Sequence, residues 1–373
     1  MKVLVVGPAY PYRGGIANFA DLFVEQLMKE NQVSVITFKR LYPSFLFPGK
    51  TQFQDSIDSK LIIAQRLIDS LNPLNWIKTA NKIISQNPDV VIFSYWLPFI
   101  APSYGKIAKL IKKKSKIKII GLCHNVLPHE SHIGDVTLTK YLFNSIDNFV
   151  ILSNKVVDDL IRLKPGARYK ILPHPIYSNF GKLVEKNEAR NLLNLPVKQK
   201  LLLFFGFIRD YKGLDILLEA MKKLKDEEIK LIIAGEFYSN EDKYKKIIND
   251  NKLNDKLYLF TKFIPTSEVK YYFSASDVVI LPYRDATQSG IVQIAMNFRK
   301  PVIATNVGGL GEVVINNRTG YIVEKENPKA LSETIDKFYS ENKESEFIEN
   351  ISSEVEKYSW ENFTNEILEL IKN

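Results

Sequence analysis

The sequence predicts an α/β protein built from two doubly wound, Rossmann-like domains, and three observations carry that prediction. Its 373 residues exceed the roughly 250 to 300 at which a single core usually divides. Short β-branched runs alternate with stretches of helical apolar spacing almost from end to end, the pattern of a parallel sheet with helices on both faces rather than of a sandwich or bundle. That alternation runs twice, either side of the proline-marked segment Leu172-Pro173-His174-Pro175-Ile176, so a boundary is expected near Ser178. The halves share a pattern but no repeated sequence.

In the first half, strands are expected at Lys2–Val6, Val33–Phe38, Val90–Ser94, Ile117–Cys123, Asn148–Ser153 and Tyr169–Leu172, because each is a short apolar run rich in Val, Ile and Phe. Helices are expected at Ile16–Lys29, Trp76–Ser85, Gly105–Lys114 and Leu138–Ser145, where apolar residues recur every three or four positions. Leu41 to Asp69 mixes aromatic and proline residues without a period and reads as a long loop. In the second half, strands are expected at Leu201–Phe205, Lys230–Ala234, Leu257–Phe260, Val278–Leu281, Val302–Ala304 and Tyr321–Val323. Helices fall between them at Leu214–Leu224, Asp242–Asn249, Glu268–Phe273, Ile291–Phe298 and Pro328–Tyr339. The amphipathic run Trp360–Ile371 is expected to pack back on the first domain. The division is therefore 1–178, 179–357 and a returning helix at 358–373.

Composition narrows the function classes. A hydrophobic fraction of 45% with 25% charged residues is that of a folded globular chain. The single cysteine, Cys123, rules out an intramolecular disulfide framework and suits a reducing compartment. Prolines at 8 and 11 interrupt the apolar start too early for a signal peptide, and no apolar stretch approaches membrane-spanning length. The expected location is cytoplasmic. The net charge of +9 is lopsided: Met1 to Ser178 holds 23 Lys and Arg against 12 Asp and Glu, and the remainder 28 against 30. Its centre, Lys106 to Lys118, has apolar residues interleaved with lysines, as in a helix with one buried and one basic face. A solvated face and contact with an anionic membrane surface, from the inner side of the cell membrane, are both open; nucleic acid is not expected, since no aromatic interleaving or RNA-binding signature accompanies the lysines.

Three segments place polar chemistry at strand ends. Gly14-Gly15 follows the first strand and precedes a helix, where glycine permits close approach of a ligand to a helix N-terminus. It is neither the dinucleotide fingerprint nor a P-loop. Gly206-Phe207-Ile208-Arg209-Asp210-Tyr211-Lys212-Gly213 directly follows a strand, and the cations Arg209 and Lys212 suit the charges of a diphosphate. Thr287-Gln288-Ser289-Gly290-Ile291 offers hydroxyls, an amide and free backbone N–H groups at the start of a helix, fitting either an anion site or an ordinary cap by Thr287 or Ser289. His129 and His132, with Glu130 between them, have the look of metal ligands but lack an evident fourth, and an acceptor-loop role is preferred. No short Asp-x-Asp is present, so no divalent metal is required; no cofactor is expected.

Gly206 to Gly213 followed by Leu-Asp-Ile-Leu-Leu-Glu-Ala resembles the start of the second domain of retaining glycosyltransferases of the GT-B fold, the glycosyltransferases group 1 family (family 4 type). The resemblance extends to Gly14-Gly15, to Val302–Glu312 and to Tyr358-Ser359-Trp360-Glu361, and so covers nearly the whole chain. It implies two Rossmann-like domains facing an interdomain cleft, and transfer of a sugar from a nucleotide diphosphate donor to an acceptor hydroxyl with retention. Domain closure would exclude water. It also implies that Arg209 and Lys212 hold the donor diphosphate, that Gly14 and Gly15 meet it from the first domain, and that His124, in Cys123-His124-Asn125-Val126, contacts the donor sugar near the reacting carbon. The first domain holds the acceptor in this family, which with its basic charge suggests a cell-surface polysaccharide or lipid-linked glycan.

One departure matters. Most of the family carries Glu-x7-Glu, the first glutamate touching sugar hydroxyls and the second the ribose; here the first falls near Ala286 or Thr287 and the second near Ile294 or Ala295. The T-Q-S-G form resembles a branch of the family. Thr287, Gln288 and Ser289 would then bond sugar hydroxyls as neutral groups, with Asn125, Asp285 and Glu312 as further candidates. A catalytically silent sugar-nucleotide-binding protein and a GT-B sugar-nucleotide epimerase are the alternatives.

Overall fold

A computed structural model of the chain describes residues 1–43, 52–53, 63–128, 132–238, 240–286 and 289–372. The chain divides into two compact units, Met1–His174 with Ser359–Asn373, and Pro175–Tyr358.

The first unit runs β1 (Lys2–Val6), α1 (Gly15–Met28), β2 (Gln32–Arg40), β3 (Gln65–Asp69), α2 (Pro73–Gln86), β4 (Val90–Tyr95), α3 (Ala101–Lys114), β5 (Lys118–Cys123), α4 (Asp135–Phe143), β6 (Asn148–Ile151), α5 (Asn154–Leu163) and β7 (Arg168–Ile171). Its sheet has the order β3-β2-β1-β4-β5-β6-β7, with every neighbouring pair parallel. All six residues of β4 are buried, as expected of a central strand covered by helices on both faces. Two elements depart from the sequence reading. Part of the expected loop from Leu41 to Asp69 is the strand β3, whose mixed sequence QRLID sits at the sheet edge and pairs with β2 through a register shift; an edge strand has little apolar pattern to betray it. The helix α5 is the other, an element with no counterpart among the expected helices although Val156, Leu160 and Leu163 bury one face at helical spacing.

The second unit runs α6 (Lys186–Leu192), β8 (Lys200–Phe205), α7 (Leu214–Lys223), β9 (Ile229–Ala234), α8 (Glu241–Asp250), β10 (Leu257–Phe260), α9 (Val269–Ala275), β11 (Val278–Leu281), α10 (Gly290–Asn297), β12 (Val302–Thr305), α11 (Leu310–Val313), β13 (Gly320–Val323), α12 (Pro328–Ser340) and α13 (Lys343–Glu354). Its six strands lie in the order β10-β9-β8-β11-β12-β13, again all parallel. Asp277, just before β11, ties the unit together: its buried carboxylate accepts from Arg190 Nη2 and Lys186 Nζ at 2.9 Å, the Leu201 N–H at 2.7 Å and the Tyr339 hydroxyl at 3.1 Å. Removing one partner of a buried charge of this kind typically costs about 3–5 kcal/mol.

The last helix, α14 (Trp360–Lys372), belongs to the first unit. Phe19 and Phe23 of α1 meet Trp360 and Phe363 edge to face, and Lys118 Nζ donates to the Ile371 carbonyl at 2.5 Å.

Candidate active site

In each sheet the chain steps outward from its first strand and then returns beside it, so loops leave the first and fourth strands in opposite directions and open a crevice at the carboxyl edge. Ligands of open α/β sheets collect at such switch points. In the second unit the crevice lies between β8 and β11, and the loops that leave them begin at Gly206 and Pro282.

The first of these loops is shaped by glycine. Gly206 has φ +97°, and a Cβ there would lie 3.0 Å from Lys212 Nζ and 3.3 Å from Ile291 Cδ1. Gly213 has φ +67°, and its Cβ would come within 2.0 Å of the Pro282 carbonyl oxygen. The two loops are therefore in direct contact, and only glycine allows it. A bidentate pair holds them there: Arg284 Nη1 and Nη2 donate to Asp215 Oδ1 and Oδ2 at 2.9 and 2.8 Å, and Arg284 Nη1 also reaches the Asp210 carbonyl at 2.7 Å.

Lys212 is the singular group of this site. It is only 8% exposed, and no carboxylate pairs with it among the described residues; its ammonium lies 5.8 Å over the Tyr283 ring. Burial, and secondarily the charge of Arg209, lower its pKa from 10.5 to about 7. A buried cation without a counter-ion is costly to hold. Arg209 is exposed, with its guanidinium 4.7 Å over the Tyr238 ring, and Tyr238 packs in turn on Phe207.

The second loop ends in a capped helix. Ser289 is the N-cap of α10, its Oγ accepting from the Ile291 N–H at 3.3 Å and lying 3.3 Å from the Tyr283 hydroxyl. Gly290 is pressed against Tyr177, whose ring a Cβ would meet at 3.0 Å. Arg209, Lys212, Ser289, Gly290 and Ile291 are thus brought to one edge of the second sheet. Thr287 and Gln288 lie outside the described residues. Asp285 is half-buried between Arg284 and the buried Ala286, and Glu312 is exposed on the one-turn helix α11. The positions proposed for the missing glutamates that are described, Ala286, Ile294 and Ala295, are all buried and apolar. Sequence reasoning passed over Gln293, which is 2% exposed and whose Oε1 has no hydrogen-bond partner among the described residues. A lone amide inside an apolar helix stretch gave little signal.

In the first unit, Gly14 caps α1 at φ +115°, and a Cβ there would meet nothing within 4 Å. Its need for glycine is conformational. Gly15 begins the helix. His124 follows β5 and is 9% exposed, with Nε2 3.0 Å from Ser94 Oγ and its ring edge-on to Phe19 at 4.8 Å. Burial, with His174 close by, lowers its pKa from 6.5 to about 3, so the imidazole is neutral near pH 7 and offers a hydrogen bond rather than a charge. Asn125 is half-buried beside it. His129 and Glu130 lie outside the described residues; His132 is exposed, its N–H donating to Asp135 Oδ2 at 2.7 Å in the first turn of α4. Among the described residues no three His, Cys, Asp or Glu side chains group as a metal site.

Residues 185–354 match the family model of the glycosyl transferases group 1. All of the matched residues lie in the second unit. Over the whole chain, an uncharacterized glycosyltransferase of Methanocaldococcus jannaschii is 27% identical across 365 residues, covering 97% of this chain and 95% of the relative. A lipopolysaccharide 1,2-N-acetylglucosaminetransferase of Salmonella typhimurium is 26% identical over 219 residues, 56% of this chain and 58% of that protein. Among solved structures, Anabaena HepE in complex with UDP-glucose superposes with a TM-score of 0.77 at 16% identity, over 100% of this chain and 99% of that one. The architecture is therefore the two-domain, Rossmann-like GT-B fold, and in the second unit the loops after β8 and β11 form the carboxyl edge described above.

Proposed function

We propose that the chain transfers a sugar from a nucleotide diphosphate donor to an acceptor hydroxyl with retention, in the synthesis of a cell-surface polysaccharide or lipid-linked glycan. The observation that carries the reading is Lys212, a buried ammonium with no acidic partner among the described residues, beside Gly206 and Ile291 at the sheet's switch point. A donor diphosphate supplies the missing counter-charge. In the reaction the bond from the anomeric carbon to the diphosphate oxygen breaks and a bond to the acceptor oxygen forms on the same face, the acceptor's proton passing to the departing diphosphate. Lys212 and Arg209 stabilise the charge that grows on that leaving group, where electrostatic catalysis is most effective. The resemblance assigns Gly14 and Gly15 to the donor phosphates and His124, a neutral imidazole near pH 7, to the donor sugar. The similarity to a transferase of lipopolysaccharide and to a protein crystallised with UDP-glucose supports the substrate class.

The buried apolar side chains at Ala286, Ile294 and Ala295 keep a second reading in play, that of a sugar-nucleotide-binding protein without turnover. A panel of nucleotide sugars, assayed by released nucleoside diphosphate with and without lipid-linked acceptors, separates the two. Release with at least one donor, abolished in Lys212→Ala, supports the transferase. Tight binding with no release across the panel overturns it.

A further inference from the structure

We propose that the outer face of α2, α3 and α4 in the first unit is a docking surface for an anionic phospholipid bilayer. These three helices form one continuous layer, α2 packing on α3 and α3 on α4. At Gly105 of α3 a Cβ would lie 2.6 Å from the Tyr141 ring of α4, so the absence of a side chain there brings the two helices close.

Charge on this layer is almost all of one sign. The helices contain eight lysines and a single acid, Asp135, and Asp135 is occupied by the His132 N–H. Lys112 is paired with Asp147, and Lys114 reaches Asn81 at 3.1 Å. The other six, Lys78, Lys82, Lys106, Lys109, Lys113 and Lys140, have no ion-pair partner among the described residues. Unlike a solvated helix face, which mixes signs, this one leaves its ammonium groups to a partner.

The second observation is apolar. Leu74 is 72% exposed and Ile133 fully so, and they are joined by the exposed Leu71, Ile77, Val136 and Tyr141. Leu71 precedes the Asn72 cap of α2, Leu74 and Ile77 stand three residues apart in its first two turns, and Ile133 and Val136 flank the start of α4. Both helices begin where the chain leaves the carboxyl edge of the sheet, after β3 and β5 respectively, so the apolar side chains gather at one end of the layer and lysines continue along it. Single exposed apolar residues are ordinary, whereas a group of them rimmed by cations marks an interaction surface. Apolar knobs that enter the acyl boundary beside lysines at the headgroups are the two components of interfacial binding. Neither alternative occupant matches both: a second copy would oppose lysine to lysine, and a nucleic acid leaves the aliphatic knobs unpaired.

The test uses the full chain, without donor, so that its outcome does not depend on the transferase reading. Co-sedimentation is measured with vesicles of phosphatidylcholine alone and of phosphatidylcholine mixed with phosphatidylglycerol. Wild type should bind the anionic vesicles strongly and the neutral ones weakly, with salt sensitivity. Lys109→Gln/Lys113→Gln/Lys140→Gln should weaken binding roughly hundredfold, at about fivefold per lysine. Leu74→Ser/Ile133→Ser, at two exposed positions, should keep the attraction at low salt and lose it at high salt. Binding equal on both vesicle types, or unchanged in both variants, overturns the proposal. So does a single-stranded RNA homopolymer bound as tightly as the anionic vesicles, or self-association that Leu74→Ser/Ile133→Ser abolishes.

Discussion

Replacing Lys212 by methionine should stabilise the ligand-free protein while removing its grip on a nucleoside diphosphate. An ordinary lysine has a pKa of 10.5, and burial in the fold lowers that of Lys212 to about 7. The unfolded chain binds the proton more tightly than the folded one between those values, so wild-type stability rises with pH across this window, by up to about 1.4 kcal/mol per pH unit. At pH 7 the burial of Lys212 therefore costs on the order of 4 kcal/mol. Methionine keeps the unbranched stem and drops the charge, so relaxation at the site should leave a net gain of about 1–3 kcal/mol, a rise of a few degrees in the melting of the second unit. Thermal melts of both proteins from pH 7 to 10, with and without UDP, GDP and ADP, provide the readout. The difference between variant and wild type should shrink as pH rises, because wild type recovers what the variant never lost, and stabilisation by nucleoside diphosphate should appear in wild type alone. A methionine variant less stable than wild type at pH 7, or one that a nucleoside diphosphate stabilises as well as wild type, overturns this account of Lys212.

The same lysine links binding to protons. Near pH 7 about half of the Lys212 side chains are neutral in the free protein, and a bound diphosphate restores the charge. Affinity for the nucleoside diphosphate found to bind should fall as pH rises above 7, by up to tenfold per unit, and calorimetry in buffers of different ionisation enthalpy should show proton uptake; Lys212→Arg should flatten that slope. The glycines separate by mechanism. Gly213→Ala forces a Cβ into the Pro282 carbonyl and should cost more than about 3 kcal/mol by urea unfolding, while Gly14→Ala, strained but unobstructed, should cost about 1–2 kcal/mol.

Much of this architecture was legible because buried parallel strands announce themselves. Apart from the edge strand β10, which is only partly covered, every strand of the second sheet is a mostly buried apolar run such as Leu201–Phe205 or Val278–Leu281, and all six lie within a residue or two of the expected positions. What escaped was held by other forces. The strand β3 gains its place from ladder hydrogen bonds at an edge, and its sequence has no apolar face to read. The helix α6 is seven residues long and is fixed largely through Lys186 and Arg190 on Asp277, a tertiary ion cluster that local periodicity does not encode. At the candidate site, Arg209 and Lys212 stood out as charges after a strand. That Arg209 is exposed while Lys212 is buried depends on the Tyr238 ring and on the crossing of the loop under Pro282, neither of which spacing alone supplies.

Gln293 shows the limit from the opposite side. Its Oε1 is buried without a partner among the described residues, and an orphaned buried acceptor costs about 1–3 kcal/mol that a core residue of similar size would not. It stands one turn into α10, close in sequence to the positions where the resemblance expects a glutamate. If the oxygen serves only packing, Gln293→Leu should stabilise the protein and leave donor kinetics untouched. If it accepts a donor hydroxyl, the same substitution should stabilise the free protein, raise KM for the donor by roughly tenfold, and spare the affinity for inorganic diphosphate. The split between donor and diphosphate decides the matter, because the proposed function gives the phosphate grip to Lys212 and Arg209 and leaves sugar or ribose recognition to other groups.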